Sequence, residues 1–342
     1  MRVSGDLMSR SFAGFRVLAI AACVTGSACI SDGGPRSSDP AAELQAVATV
    51  AFTEGPTVDR EGRVYFSEML SGRILVYTPE TVEPESPASG GQDQRALGRA
   101  LGGGVEIFRE PSQGANGLLF DAEGRLIAAE IVSRRVTRTD LKTSRIEVLA
   151  ANGTATPIDM PNDVTLDGSG RIYFTDYVGR RVYRIDPDGS VERILGPDEV
   201  EAPNGIVVAP DDGTLYVVEA NAGPGGARLI RAYDLAADGS LRAGRVFHDF
   251  GKGRSADGLA IDAAGNVYAA AGLNRPRGTS ETLDTPAGVH VFSPEGRRIA
   301  FHPIPEDTVT NLAFGGEDMR TLYVTAGKTL FSLRVDGPGT NR

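Results

Sequence analysis

The sequence predicts an all-β protein, a six-bladed β-propeller whose ring is closed by an N-terminal strand. Three observations support this prediction: a hairpin phrase that recurs along the chain, the spacing of its copies, and one apolar segment before the first copy. The phrase is clearest in PNDVTLDGSGRIYFTD, residues 161–176, where short strands at 164–166 and 171–174 flank a cluster of turn formers. Because the two strands are antiparallel, Asn162 and Asp163 lie at the end opposite the turn.

Six copies of this phrase follow one another along the chain. They read TEGPTVDREGRVYFSE, ANGLLFDAEGRLIAAE, PNDVTLDGSGRIYFTD, PNGIVVAPDDGTLYVVE, ADGLAIDAAGNVYAAA and TNLAFGGEDMRTLYVTA, and they begin at Thr53, Ala115, Pro161, Pro203, Ala256 and Thr310. The second positions of successive copies are 62, 46, 42, 53 and 54 residues apart. A repeat of roughly 40 to 50 residues made of short β-strands is typical of a propeller with one four-stranded sheet per blade.

The apolar run after each copy supplies the third strand of its blade. These runs are residues 73–77, 134–137, 182–185, 229–233, 289–292 and 329–335. The sixth copy has too little chain after it for a fourth strand, so the alternating apolar segment at 44–50 is expected to fill that place. Closing the ring in this way removes an exposed sheet edge.

The loops between strands can be assigned to the two faces of the predicted ring. We call the end that carries Asn162 the top. Loops that follow second strands lie at the top, so residues 221–226 and 273–286 are candidate walls or lids over it. Residues 79–104 follow a third strand and are rich in Pro, Ser, Gly and Gln, so we expect them at the bottom and assign them no chemistry.

Charge and composition exclude some partners. The formal net charge is -10 and the pI about 5.0, which disfavours nucleic acid because phosphate binding needs a concentrated basic face. Trp is absent and aromatic residues make up 6% of the chain, so a stacking platform for single strands or polysaccharide is also disfavoured.

The first 28 residues are predicted to be an export signal of the lipoprotein type. Three arginines precede an apolar run that starts at Val17 and ends in small residues before Cys29. Cys29 is the favoured lipidation site and Cys23 the alternative; an ordinary cleaved secretory signal is a further alternative. Removal of residues 1–28, which hold the three arginines and Asp6, would take the net charge from -10 to -12. The mature chain is then expected to have no free cysteine and no disulfide.

The predicted organisation is an export signal at residues 1–28, a flexible tether at 29–42, the propeller at 43–336 and a tail at 337–342. We therefore expect an exported monomer, periplasmic or a cell-envelope lipoprotein, that touches the membrane only through its N-terminal lipid.

The second position of every copy carries an oxygen donor, and we call these six residues the axial column. They are Glu54, Asn116, Asn162, Asn204, Asp257 and Asn311. A hard cation such as Ca²⁺ takes about six to eight oxygen ligands, whereas zinc prefers imidazole and thiolate. None of His248, His290 and His302 is in the column, so the pattern favours Ca²⁺, with another divalent cation as the alternative. Asn and Asp also form turns, but six registered positions with two acids exceed what turns require.

A second acidic set ends four of the second strands on the same face. It consists of Glu68, Glu130, Asp176 and Glu219. We expect most of these acids to solvate strand ends or to accept hydrogen bonds from neighbouring loops.

These residues resemble the senescence marker protein, gluconolactonase and luciferin-regenerating enzyme family of six-bladed propellers. The match covers about residues 52–335, and its most specific phrases are ANGLLFDAEGRL, PNDVTLDGSGRIYFTD, PNGIVV, DGLAIDAAGNVYAAAG, and NLAFGG followed by TLYVTA. The resemblance implies a divalent ion at the top of the axis, held by Glu54, Asn204 and Asp257. It places Asn162 beside both the ion and the substrate, and we expect Asn116 to contact the substrate as well.

One departure from the family concerns specificity. Gluconolactonase-like members often carry a polar pair such as Asn-Ser before the Pro-Asn-Asp phrase, whereas Asp159 and Met160 stand there in this chain. The position bears on sugar-lactone recognition. Paraoxonases are relatives of the family, but the resemblance gives no histidine base here because no histidine falls in the column.

The resemblance implies metal-dependent hydrolysis of a small lactone or related ester. The metal would act as a Lewis acid and Asp257 as the general base, with Glu54 and Asp163 as the next candidates for the base. A non-catalytic, calcium-stabilised propeller that acts as a binding module is the alternative from another class. A phosphotriesterase-type hydrolase is the second alternative.

Overall fold

The structure is a computed structural model that describes residues 44–79 and 104–340. Its named elements are all β-strands, arranged as six sheets of four antiparallel strands. Blades one to three are β2 (Thr53–Val58), β3 (Val64–Glu68), β4 (Arg73–Tyr77) and β5 (Val105–Arg109); β6 (Ala115–Phe120), β7 (Leu126–Glu130), β8 (Arg135–Thr139) and β9 (Ile146–Ala151); and β10 (Pro161–Leu166), β11 (Ile172–Asp176), β12 (Arg181–Ile185) and β13 (Val191–Leu195).

Blades four to six follow the same order along the chain. They are β14 (Pro203–Val208), β15 (Thr214–Ala220), β16 (Arg228–Leu235) and β17 (Leu241–Asp249); β18 (Ala256–Ile261), β19 (Val267–Ala271), β20 (Gly288–Phe292) and β21 (Arg298–Pro303); and β22 (Val309–Gly315), β23 (Thr321–Ala326) and β24 (Thr329–Arg334) with β1 (Gln45–Thr49). The first strands of neighbouring blades contact one another around the full circle, including β22 against β2. The predicted six-bladed propeller is therefore confirmed.

The N-terminal strand closes the ring. Strand β1 pairs antiparallel with β24, from Gln45 opposite Ser332 to Thr49 opposite Thr329. Val47 and Val50 pack against a core cluster that contains Phe66 of the first blade and Leu330 of the sixth. The N-terminal segment is thus paired with the last blade, and the first and last blades share an apolar core.

The second strands are more buried than the outermost strands of their blades. The second strands β3, β7, β11 and β19 are buried along their whole length, since both faces pack against neighbouring sheets. The outer strands β9 and β21 are largely exposed. Apolar clusters lie between adjacent blades, as where Ile127 and Ala129 of the second blade share a cluster with Phe174 of the third.

A register shift occurs at the top of every first strand. The shift against the second strand lies between residues such as Pro161 and Val164 in the third blade, and the column residue stands at or within it in all six blades. Pro161 still pairs with Asp176 beyond the bulge, so this strand begins three residues before the predicted 164–166. A β-bulge bends the strand and re-aims its side chains, which turns the column towards the axis.

Several predictions fall on residues outside those described. The export signal at 1–28, the tether at 29–42 and most of the bottom insertion at 79–104 are among them. Within residues 44–79 and 104–340, no helix is long and apolar enough to cross a membrane.

Candidate functional site

The strands that carry the axial column approach one another too closely for ordinary side chains. Glycine follows the column residue in four copies, at Gly55, Gly117, Gly205 and Gly258. A Cβ atom at Gly205 would lie 2.4 Å from the Asp257 carbonyl oxygen, and one at Gly258 would lie 2.1 Å from Oδ1 of Asn311. Glycine is needed here because only a residue without a side chain lets the backbones come this near.

Asp163 takes the glycine position in the third copy, and its carboxylate occupies the space that glycine leaves elsewhere. Its Oδ1 accepts a hydrogen bond from the Val164 amide at 3.0 Å, and its Oδ2 accepts one from the Ile206 amide at 3.3 Å. The Asn311 side chain also hydrogen-bonds to it. Burial raises the pKa of Asp163 to about 7, despite these hydrogen bonds.

Glu54 and Asp257 share the same centre as Asp163. Burial raises the pKa of Glu54 well above its usual range, and the charges of Asp257 and Asp163 raise it further. Asn204 donates a hydrogen bond to Asp257 from the neighbouring blade. Three carboxylates that repel one another in a buried place favour a cation between them.

Arg254 is the nearest internal counter-ion. Its Nη2 donates to Oδ2 of Asp257 at 2.5 Å, and its Nη1 donates to the Val309 carbonyl at 3.0 Å. Burial raises the pKa of Asp257, while the positive charges of Arg254 and then Arg277 oppose that rise. The ion pair with Arg254 therefore favours the ionised form of Asp257, although burial disfavours it.

The two predicted substrate contacts stand at equivalent positions in their blades. Asn116 is buried and Asn162 half-buried, each within the bulge of its first strand. Within the described residues, neither side chain is hydrogen-bonded to the carboxylates of the centre. The structure thus links Glu54, Asn204 and Asp257 through direct interactions. For Asn116 and Asn162, only the strand register indicates that they lie at the top of the axis.

A cation at this centre would need amide oxygens as well as carboxylates. No group of three or more His, Cys, Asp or Glu side chains among the described residues could hold a metal ion by itself. The axial column supplies the missing donors, because Asn204 adjoins Asp257 and Asn311 adjoins Asp163. All these donors are oxygens, which fits Ca²⁺; the histidines lie on the third strand β20 and the outer strands β17 and β21, away from the axis.

The second acidic set supports the top loops, as expected. Asp176 accepts hydrogen bonds from the amides of Asp159 and Met160, at 3.2 and 2.7 Å, and so fixes the segment just before Asn162. Glu219 does the same for the Glu201 and Ala202 amides before Asn204, and Glu130 pairs with Arg109 and Arg135. Each acid is fully buried and satisfied by these partners.

The loop at 273–286 forms a wall at the top, held at both ends. On one side the Asn274 amide donates to Oδ1 of Asp307 at 2.5 Å. On the other side Thr282 donates to the Lys252 carbonyl at 2.8 Å, and the hydroxyl of Ser280 donates to the Ala222 carbonyl at 2.8 Å. The two loops predicted as walls, 221–226 and 273–286, therefore contact each other.

Three residues of this region were absent from the sequence prediction: Arg254, Arg277 and Tyr177. Arg254 stands three residues before Asp257, a spacing that could have suggested an ion pair. Arg277 comes from the wall loop, which carried no motif. Tyr177 follows β11, donates its hydroxyl to the Ala220 carbonyl at 3.2 Å, and has a pKa raised by burial and by the nearby charges of Asp257 and Glu281.

A cavity of about 810 Å³ follows the axis from the turn side of the ring. All six first strands line it, and Asp163 and Asn311 stand at its upper end. Glu54, Asn204 and Asp257 do not line it. Asp163 therefore lies at the boundary between the carboxylate centre at the top and the channel below it.

The family model described as "SMP-30/Gluconolactonase/LRE-like region" matches residues 52–328. A gluconolactonase of Zymomonas mobilis is 26% identical in an alignment 324 residues long that covers 87% of this chain and 82% of that protein. Two solved structures share the fold. A gluconolactonase of Xanthomonas campestris has a TM-score of 0.68 and 24% identity, over 86% of this chain and 90% of that one. A calcium-binding protein, regucalcin, of Agrobacterium tumefaciens has a TM-score of 0.66 and 19% identity, over 87% and 96%.

Proposed function

Because the chain belongs to the SMP-30/gluconolactonase/LRE-like family, we propose that it is a calcium-dependent hydrolase of a lactone or related ester. The observation that carries the proposal is the buried centre in which Glu54, Asp163 and Asp257 repel one another beside the amides of Asn204 and Asn311. The gluconolactonase relative, which spans most of this chain, supports lactones as the substrate class.

Glu54, Asn204 and Asp257 would hold the cation, with Asn162 beside it. When bound, a divalent cation supplies Lewis-acid stabilisation of negative charge on the substrate carbonyl oxygen. The choice of Ca²⁺ rests on the oxygen-only donor set.

Asp257 is the proposed general base. Arg254 holds its Oδ2 and favours its ionised form, so the carboxylate is both oriented and able to accept a proton from water. Water then adds to the carbonyl carbon, the bond from that carbon to the ring oxygen breaks, and the proton returns to the ring oxygen. The product is the open hydroxy acid, and no other reactant is needed.

The amide groups of Asn162 and Asn116 are proposed to bind the substrate. Neither is engaged with the carboxylate centre in the part of the chain that the structure describes, so both can donate hydrogen bonds to hydroxyl or carbonyl oxygens. Asp176 fixes the backbone before Asn162 through the Asp159 and Met160 amides, which limits the positions that Asn162 can take.

The test is hydrolysis of a panel of small lactones by the purified protein, followed by base uptake at constant pH. We expect turnover to stop on addition of a chelator and to return with Ca²⁺ in the micromolar to millimolar range, as for extracellular calcium sites of about 10⁻⁴ to 10⁻³ M. Glu54→Gln should weaken Ca²⁺ binding at least about tenfold by calorimetry, because one of few carboxylates is lost.

Other outcomes of the same assay identify the alternatives. Calcium binding without turnover of any lactone would favour the binding module. Turnover of an aryl phosphotriester without turnover of any lactone would favour the phosphotriesterase.

We further propose that the mature chain is exported and lipid-anchored at Cys29, on the strength of the N-terminal pattern alone. Labelled palmitate should enter the protein in its native host and be lost in Cys29→Ser. Labelling that persists in Cys29→Ser but is lost in Cys23→Ser would move the site to Cys23, and no labelling of the wild type would leave an ordinary secretory signal.

A further inference from the structure

Two guanidinium groups lie close together beside the carboxylate centre: Arg254 donates to the Val309 carbonyl, and Arg277 donates to the hydroxyl of the preceding residue, Thr308. Arg254 is 8% exposed in its side chain and is paired with Asp257. Arg277, from the wall loop, is near enough to oppose the rise in the pKa of Asp257. Burial lowers the pKa of Arg277, and the like charge of Arg254 lowers it further. Two cations have thus been brought close together in a desolvated place.

Arg277 has no carboxylate partner of its own. Among residues 44–79 and 104–340, no carboxylate oxygen lies within 4.0 Å of its guanidinium nitrogens, and its hydrogen bond is to the Thr308 hydroxyl. Glu281 and Asp307 are the next acids. Asp307 accepts from the Asn274 amide and Glu281 accepts from Thr279, so both have other partners.

The position of Arg277 is fixed by the fold. The wall loop is bonded to Asp307 on one side and to Lys252 and Ala222 on the other. The charges of Asp257 and of Glu281, which lies on this loop, both raise the pKa of Tyr177, so Tyr177 lies near the loop and the centre. Arg277 is thus held at the top of the ring, within electrostatic reach of Asp257.

The balance of charge favours an anion at this point. A divalent cation would neutralise Glu54 and Asp257, so Arg277 would then face only Glu281 and Asp307, which both have other partners. A planar guanidinium with free N–H groups binds a carboxylate, sulfonate or phosphate through two parallel hydrogen bonds. A neutral sugar ring would offer this partly buried cation hydrogen-bond acceptors but no opposite charge.

We propose that Arg277, backed by Arg254, binds an anionic group of the substrate, so that the site selects lactones or esters carrying a carboxylate, sulfonate or phosphate. The inference rests on the proposed hydrolysis for its substrate, but the anion site itself does not depend on turnover.

The experiment compares rings that differ only in charge. In the kinetic arm, the full chain with Ca²⁺ is given gluconolactone and the same six-carbon lactone with CO2⁻, CH2SO3⁻ or CH2OPO3²⁻ in place of its terminal CH2OH. In the binding arm, calorimetry measures methyl glucoside and methyl glucuronide, two rings with no lactone to open. The variants are Arg277→Gln and Arg277→Lys.

Arg275→Gln is the matched control, because Arg275 lies two residues away on the same loop with its side chain 78% exposed. We expect the wild type to prefer the charged ring, and Arg277→Gln to lose about 10- to 100-fold in kcat/KM for the charged lactone. Its loss for gluconolactone should be much smaller, because there only the interaction of Arg277 with Asp257 is removed. Arg277→Lys should lose less, and Arg275→Gln should change neither value. The best of the three charged lactones identifies the anionic group.

The two arms separate this inference from the proposed function. Selective binding of the glucuronide that is lost in Arg277→Gln supports the anion site even if no lactone is opened, in which case the hydrolysis proposal alone fails. Equal affinity of the wild type for both rings, together with equal kcat/KM for neutral and charged lactones, overturns the inference. An equal loss on both lactones in Arg277→Gln also overturns it, because Arg277 would then stabilise the reaction and not the anion.

Discussion

Asp163 occupies a position where four of the six repeats have glycine, and its place shows how one residue changes the chemistry of a repeat. The close approach that excludes side chains elsewhere leaves room on the axis for one carboxylate. Two backbone amides and Asn311 hydrogen-bond to it, yet burial still raises its pKa to about 7. The group is therefore half protonated near neutral pH when the centre holds no cation.

The pH dependence of stability follows from this shift. The pKa of Asp163 is about 7 in the folded protein against an ordinary value of 3.8, so the folded state holds the proton more tightly than the unfolded state. Its contribution to stability is present below pH 3.8 and is lost as the pH rises to about 7, by at most about 4 kcal/mol. We expect the Tm of the metal-free protein to fall between pH 5 and 8, and to fall less in Asp163→Asn.

Calcium provides the control for this prediction. A bound cation favours the ionised carboxylates, so the fall in Tm between pH 5 and 8 should shrink when Ca²⁺ is saturating. If the wild type and Asp163→Asn show the same slope without metal, Asp163 does not titrate in this range.

At the scale of the strand, the bulge at the top of each first strand sets the geometry of the site. The repeat predicted the polar column and its face, because spacing and strand direction follow from the residues themselves. It did not predict the register shift, which arises when neighbouring backbones meet on the axis. For the same reason the strand at Pro161–Leu166 begins earlier than its apolar part, Val164 to Leu166, suggested.

Arg277 could not be predicted because nothing local marks it. Its role depends on a loop that is fixed by contacts with residues far along the chain, such as Ala222 and Asp307. Arg254 had a weak local signal in its spacing from Asp257. Side chains set by the repeat were thus predictable, whereas those set by loop packing were not.

Gly205→Ala tests the close approach of the first strands. A Cβ atom at Gly205 would stand 2.4 Å from the Asp257 carbonyl oxygen, so the backbone beside Asp257 must move. We expect a loss of about 3 kcal/mol in the free energy of unfolding and weaker Ca²⁺ binding. Gly153→Ala is the matched control, because a Cβ atom there meets nothing within 4 Å, and it should change stability by no more than about 0.5 kcal/mol. Equal stability of the two variants would show that the strands are not this tightly packed.

For the whole molecule, closure joins the ends of the chain. Every blade but the last is built from consecutive strands, and the last borrows β1 from the N-terminal side of the first. The sequence predicted this closure because the sixth repeat lacks a fourth strand. Without β1, strand β24 would present an unpaired edge and the core near Leu330 and Phe66 would lose Val47 and Val50.

Two truncations measure the contribution of closure. A chain that begins at residue 43 should fold with the Tm of the mature protein, because it retains all of β1. A chain that begins at residue 51 should be less stable by about 3 kcal/mol or more, through lost ladder hydrogen bonds and lost burial of two valines. Equal Tm values for the two chains would remove the closure argument.

The most direct test of the account is the turnover of Asp257→Asn at saturating Ca²⁺, with metal occupancy measured on the same sample. Asp318→Asn is the control, since Asp318 is a half-exposed acid outside the site that pairs with Arg334. Asp257→Asn is expected to lose at least about 100-fold in kcat while fully loaded, because a neutral amide cannot accept the proton of water. Asp318→Asn should retain most of its activity. Full turnover of Asp257→Asn once enough calcium is supplied would contradict the account, and the base would then have to be sought at Glu54 or Asp163.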